Sequence, residues 1–265
     1  MRMLKIEVEN LSLSYGRNVV VRDISFTLEP GQIIGLVGPN GCGKSTIIKA
    51  ISRVVAPISG SIAFNGRDVS RIPQMELARL VGVVPQIPLL PSNFTAFEVV
   101  LMGRNPHLGL FQYESERDME IAYQAMEKTR TQHLSGRKIG DLSGGEIQSV
   151  VIARVLAQQT EGILLDEPTS NLDIGRQIEV LDLIKEMCRS RGLTVGVALH
   201  DLNLAVQYCD RILLLHNGVI KAEGIPAQVI THENIREVYG AGSAVYNIDG
   251  LPAILPRAGV SPGAR

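Results

Sequence analysis

The chain has 265 residues, 45% of them apolar and 20% charged, and a formal net charge of -1. That length suits one globular unit with an inserted or appended subdomain, and the near-neutral balance excludes a global basic field that would gather nucleic acid or an anionic membrane non-specifically. The three cysteines, Cys42, Cys188 and Cys209, are odd in number and show no CxxC or Cys/His spacing, so a reducing compartment and no structural metal are expected.

The opening MRMLKIEVENLSLSYG alternates polar and apolar residues and lacks the unbroken apolar stretch of a signal peptide. Nowhere is there a run of about 18 apolar residues, so any membrane role would come through another chain. Residues 5–28, with a turn at 16–18, read as an antiparallel edge region, followed by a buried strand over Ile33–Val37. A glycine-rich turn leads into a helix over 45–55, where Ile47, Ile48, Ile51 and Val55 form one apolar face. Strands are expected at 61–64 and 80–84. Pro85, Pro88 and Pro91 then break the pattern and mark a subdomain boundary. Residues 96–157 read as a mostly helical insertion. Strands return at 162–165, 193–198 and Arg211–His216, with a helix over 176–190 between the first two. After Gly240 the composition turns to Gly, Pro and Ala, and the last dozen or so residues are expected to form a loosely held tail. No internal repeat is visible.

Gly38, Pro39, Asn40, Gly41, Cys42, Gly43, Lys44, Ser45 and Thr46 fit GxxxxGK[ST] between a predicted strand and a predicted helix, the context this phosphate loop requires. The glycines let several N–H groups converge on one anion, and the helix adds its positive end. Lys44 supplies a charge for the β and γ phosphates, and the Ser45 hydroxyl can ligate Mg2+. Alone, this motif leaves kinases, GTPases, helicases and recombinases open.

The stretch 162–168, GILLDEP, is an apolar strand ending in two acids at the carboxyl end of the sheet. Asp166 is placed to hold Mg2+ through water, and Glu167 to orient or deprotonate the attacking water; a solvated acid at a strand end is the plainer alternative. Leu142, Ser143, Gly144, Gly145 and Glu146 precede a helical run over 147–158, giving a second anion site at a helix N-terminus. One chain has no use for two.

LSGGE followed by ILLDEP resembles the signature and Walker B pair of ABC ATPases. The resemblance implies an α/β fold, a P-loop NTPase (RecA-like) core with an antiparallel β edge and an inserted α-helical subdomain. The core would take 1–86 and 158–240, the Q-loop and helical signature subdomain 87–157, and a C-terminal extension 241–265. It also implies a head-to-tail homodimer in which Ser143, Gly144, Gly145 and Glu146 of one copy close on the ATP held by Lys44 of the other. Gln86 in VPQ resembles the Q-loop glutamine, a further catalytic and Mg2+ contact. Ser170, Asn171, Leu172 and Asp173 resemble the D-loop, and His200 in ALHD resembles the switch histidine that contacts the γ-phosphate. Tyr15 resembles the aromatic that stacks on adenine, with a strand core aromatic as the alternative. Two departures stand out: Glu146 replaces the commoner glutamine, and Ser149 stands where relatives often carry arginine.

The segment 97–107, FEVVLMGRNPH, resembles the VxxGRxPH stretch of importers for iron-siderophore, haem and cobalamin, a region expected to dock the permease. Residues 199–240 are similar to the end of the same subfamily. The implied protein is an ATPase with ATP and Mg2+, peripheral on the cytoplasmic face of the membrane. Its partners would be integral permease subunits and, indirectly, a substrate-binding protein, with no nucleic acid. Import of molybdate or another metal stays open. A soluble ABC ATPase acting on nucleic acid is disfavoured by the lack of a heptad insertion, a second P-loop or a basic stripe.

Overall fold

The computed structural model describes residues 3–109, 111–170, 172–240 and 243–256. Two layers of sheet enclose one helix. The first is antiparallel, in the order β2-β1-β4-β5, built from β1 (Ile6–Tyr15), β2 (Asn18–Leu28), β4 (Ser59–Phe64) and β5 (Arg67–Asp68). The second contains β3 (Ile33–Val37), β6 (Val81–Val84), β7 (Gly162–Asp166), β8 (Thr194–Ala198), β9 (Arg211–His216) and β10 (Val219–Gly224), in the order β10-β9-β3-β8-β7-β6. All its neighbours run parallel except the antiparallel edge pair of β9 and β10.

Every residue of β3, β7 and β8 is buried, as expected of strands covered on both faces. Their alternation divides the core in two. Ile34 and Leu36 join the apolar residues of β1, β2 and β4 and helix α1 (Lys44–Ile51), whereas Ile33 and Val37 join the helices on the opposite face. The phosphate-loop helix is thus clamped between the two sheets. Helix α2 (Gln74–Leu80) takes the first residue expected in the strand at 80–84, which begins instead at Val81.

The second core is completed by α3 (Ala96–Leu101), α4 (Glu116–Lys128), α5 (Gly144–Ala157), α6 (Ile174–Arg191) and α7 (Leu202–Tyr208). The signature helix starts three residues earlier than its apolar periodicity predicts. Ser143 caps it, accepting from the Glu146 N–H at 3.3 Å while Glu146 accepts from the Ser143 N–H at 2.7 Å. This reciprocal box lets two glycines occupy the first turn, where their N–H groups need no helical partner.

Short helices α8 (Pro226–Val229) and α9 (His232–Tyr239) lead to a hairpin of β11 (Ser243–Ile248) and β12 (Leu251–Pro256). The expectation of a loose tail is corrected over 254–256; the residues beyond lie outside the described part. Val245 and Ile254 pack on the core, and the Asn203 amide exchanges two hydrogen bonds with the main chain of Ile254, at 3.1 and 2.8 Å. Asp249 and Gly250, both at positive φ, close the turn.

The GRNPH stretch is an internal brace. Arg104 is 6% exposed; its guanidinium bonds Asp118 at 2.9 Å and the Ala157 carbonyl at 2.8 Å, and His107 Nε2 lies 2.7 Å from the Gln158 carbonyl oxygen. A Cβ on Gly103 would sit 2.3 Å from the Arg154 carbonyl oxygen, so no other residue fits there. Within the segment expected to dock the permease, Arg104 itself faces inward, its charge already paired.

The Ser115 hydroxyl and N–H, and next the Arg104 guanidinium, hold the Asp118 carboxyl down from 3.8 to about 2. Because the folded value is depressed, the stabilisation is fully present above the ordinary carboxylate range and is lost as pH falls through about 2. Asp118→Asn leaves Arg104 buried beside a neutral group and should cost about 3 kcal/mol in chemical denaturation. Breaking the exposed Arg67–Glu76 pair by Arg67→Ala should cost far less, because water screens that pair. Equal losses from the two would show that the brace is hydrated.

Candidate nucleotide site

The turn between β3 and α1 brings the phosphate-loop residues to the carboxyl end of the parallel sheet. Lys44 is 4% exposed, and its ammonium donates to the Gly38 and Pro39 carbonyl oxygens at 2.8 and 3.2 Å. Gly38, at φ 150°, is obligatory: a Cβ there would stand 2.2 Å from the Leu215 carbonyl oxygen. Gly43, Lys44, Ser45 and Thr46 form the first turn of α1, so the free N–H groups and the positive helix end share one point. Pro39, Asn40 and Gly41 complete the loop's outer curve. Cys42 is 5% exposed, and burial pushes its thiol up against the opposing influence of Lys44. The enclosed thiol, held in its neutral form by burial, is a poor nucleophile.

Ser45 Oγ donates to Asp166 Oδ1 at 2.7 Å, joining the start of α1 to the end of β7. Burial raises the Asp166 carboxyl and the charge of Glu167 adds to this, while the Ser45 hydrogen bond opposes it. A hydroxyl and a buried carboxylate in contact, with the Gln86 side-chain oxygen on the neighbouring strand end, are hard oxygen donors of the kind Mg2+ takes. A divalent cation would also relieve the crowding of two adjacent carboxylates.

Glu167 is bent out of the strand at φ 48°, a conformation that costs a non-glycine residue about 1 to 2 kcal/mol. Its N–H donates to the Ala198 carbonyl oxygen at 3.1 Å, and its own carbonyl accepts from the Ser170 N–H at 3.3 Å, so both neighbours enforce the bend. The side chain meets Gln86, whose Nε2 donates to Oε2 at 2.7 Å, and His200, whose Nδ1 lies 3.8 Å from the same oxygen. Gln86, Glu167 and His200 come from the ends of three different strands. Strain held by surrounding structure is characteristic of working groups.

Tyr15 ends β1 and is 50% exposed, outside this cluster. In the D-loop, Asp173 caps α6 by accepting from the Arg176 N–H at 2.9 Å; Asn171 lies outside the described residues. Ser143, Gly144, Gly145 and Glu146 line a separate cleft of about 600 Å3 with Leu172, Asp173 and Arg176, and no phosphate-loop residue lines it. Within it the Glu146 carboxylate is taken by the Ser143 cap and by Arg137, 3.1 Å away. Sequence reasoning missed Tyr239: burial pushes its phenol up beside Cys42, and the Gly38 main chain opposes that rise. No local motif signals a contact across two hundred residues. It also missed Ala198 O, which a backbone atom cannot advertise.

The family profile described as ABC transporter matches residues 21–170. The ferric enterobactin transport ATP-binding protein FepC of Escherichia coli is 36% identical over 97% of this chain and 96% of its own length. The hemin import ATP-binding protein HmuV of Bordetella avium is 39% identical over 91% of this chain and 94% of its own. Among solved structures, an inward-facing transporter described as of the metal-chelate type superposes with a TM-score of 0.81 at 30% identity, covering 96% of this chain and 98% of that one. A dimeric ATP-binding cassette bound to ADP and Pi after hydrolysis superposes at 0.75 with 26% identity, over 83% and 98%. With a phosphate loop, a paired serine and aspartate and a strained glutamate at the strand ends, this P-loop NTPase chain belongs to the ABC transporter ATP-binding family and is an ATPase.

Proposed function

We infer that the chain drives an ABC importer for an iron chelate, siderophore or haem, as a homodimer on the cytoplasmic side of a separate integral permease served by a substrate-binding protein. The observation that carries this reading is the separation of two anion sites on one chain. The phosphate loop and the signature cleft share no lining residue, so each is completed by the opposite site of a second copy placed head to tail. The names of the import relatives support the cargo class. No helix among the described residues is long and apolar enough to cross a membrane; in this reading a separate permease forms the passage.

In this reading Tyr15 stacks on adenine, and residues 38–46 wrap the phosphates with main-chain N–H groups. Lys44 exchanges its two carbonyl partners for phosphate oxygens. From the second copy, the N–H groups of Gly144 and Gly145 and the Ser143 hydroxyl close on the γ-phosphate, with Glu146 holding the cap that aims them. Ser45, Asp166 and Gln86 would hold Mg2+, which supplies charge neutralisation between the phosphates. Glu167, released from Gln86, orients the attacking water and accepts its proton, and His200 holds the γ-phosphate in line. The Gln86 amide donates to that acceptor oxygen, so it has to withdraw before Glu167 can take a proton there.

Three outcomes are expected. Glu167→Gln should retain ATP, accumulate as a nucleotide-locked dimer on size exclusion and lose at least about a hundredfold in turnover; full turnover would remove Glu167 from the base role. Lys44→Ala should weaken ATP binding measured by calorimetry, and unchanged affinity would refute the cradle. Glu167→Gly relieves the left-handed backbone, so it should unfold no earlier than the wild type, by up to about 1 kcal/mol later, while being inactive. Clear destabilisation would show that the bend is not strained.

A further inference from the structure

Three basic side chains, Arg130, His133 and Arg176, line the signature cleft. Arg130 and His133 are exposed, and Arg130 is held by Glu179. Arg176 is half-buried, and among the described residues no carboxylate pairs with its guanidinium. The acids that line the cleft and the cavity of about 260 Å3 beside it are engaged elsewhere. Glu146 holds Arg137 and the Ser143 cap, Asp173 accepts from the Arg176 main chain, Glu179 holds Arg130, Asp182 accepts from the Tyr208 hydroxyl, and the charge of Glu186 acts on Lys128.

Arg176 also stands at the unfavourable end of its helix. It is the third residue of α6, in a first turn that holds no acid, where the helix dipole favours a negative charge. A half-buried cation with no counter-charge, at a helix end of the same sign, does nothing for the fold; an anion entering the cleft would offset both penalties. The opposite wall offers no substitute. Ser149, where relatives often carry arginine, is 5% exposed, and its hydroxyl donates to the Gly145 carbonyl oxygen of its own helix at 3.1 Å. Ser149 and Arg176 line the same cleft from α5 and α6, so the cation missing from one wall is present on the other.

We propose that Arg176 is a contact made in trans to ATP, its guanidinium closing on the triphosphate held in the phosphate loop of a second copy. The inference rests on the head-to-tail reading above and adds to it a residue outside the signature. The planar fork of N–H donors matches phosphate oxygens in pairs, and such charge-assisted bonds strengthen away from bulk water. The Asp173 carboxylate, accepting from the Arg176 N–H at 2.9 Å, ties that guanidinium to the D-loop segment.

The test uses the full chain carrying Glu167→Gln, so that ATP is held and not turned over, with the dimer fraction read by analytical ultracentrifugation across ATP concentrations. Adding Arg176→Ala should raise the ATP concentration for half-dimerisation by about tenfold or more. Binding of a fluorescent ATP analogue to the monomer in dilute solution should stay unchanged, and the melting temperature should fall no lower than that of the parent. Ser149→Arg, added to Arg176→Ala, should recover most of the loss by returning a guanidinium from the other wall, and Arg176→Lys should recover part of it. In dimers formed with ATP carrying an azidoanilide on the γ-phosphate, light should label residues 172–176 as well as the phosphate loop. Unchanged dimerisation, label confined to the phosphate loop, or absence of recovery in both rescue variants overturns the contact and leaves the head-to-tail reading standing. A fall in melting temperature together with weaker monomer binding makes Arg176 a structural residue and overturns it as well. If the chain with Arg176 intact forms no dimer at any ATP concentration, both fall.

Discussion

A buried ammonium group bonded to two main-chain carbonyls is the constraint on which the rest of this structure depends. Lys44 lies almost wholly out of water, with the Gly38 and Pro39 carbonyl oxygens as its hydrogen-bond partners among the described residues. Removing a full charge from water is costly unless dipoles or counter-charge replace the hydration. Here the dipoles exist only because Gly38 can press against Leu215 O and because α1 is held between two sheets. The double layer of strands is the mechanical support for that one charge.

The same sheet sets the chemistry opposite. Parallel strands deliver Gln86, Asp166, Glu167 and His200 to one edge from three chain segments that lie far apart in sequence; there Gln86 donates to Glu167, Ser45 donates to Asp166, and the His200 ring stands 3.8 Å from the Glu167 carboxylate. Asp166 and Glu167 are adjacent carboxylates in a partly buried place, an unfavourable pairing that a hydroxyl, an amide and a bent backbone make tolerable. Groups placed this way are destabilised relative to their surroundings, and ligand binding relieves them.

Much of this was legible in the sequence because it depends on local pattern. Ile33–Val37 and Arg211–His216 have the expected bounds, and the phosphate loop and acidic strand end carry their glycines and carboxylates at fixed spacing. What was not legible depends on partners remote in the chain. Arg104 reads as a surface charge until Asp118 and the end of α5 are brought to it. Tyr239 carries no motif at all. The C-terminal hairpin is a different case: Asp249-Gly250 between apolar runs is a strong turn signal, but the surrounding Gly and Pro obscure the alternation of its strands. The two glycines after Ser143 weaken the helical periodicity there and hide the start of α5, although S-x-x-E is itself a start signal.

That hairpin has a bearing on how the chain behaves at high concentration. A two-stranded sheet outside the main one has outward-facing N–H and C=O groups that could template another strand. On β12 the Asn203 amide occupies the Ile254 donor and acceptor as a strand would, and Pro252 and Pro256 have no N–H to offer. One side chain on a neighbouring helix and two imino acids thus make that edge unreceptive to intermolecular β-pairing, a safeguard against aggregation achieved without burying the strand.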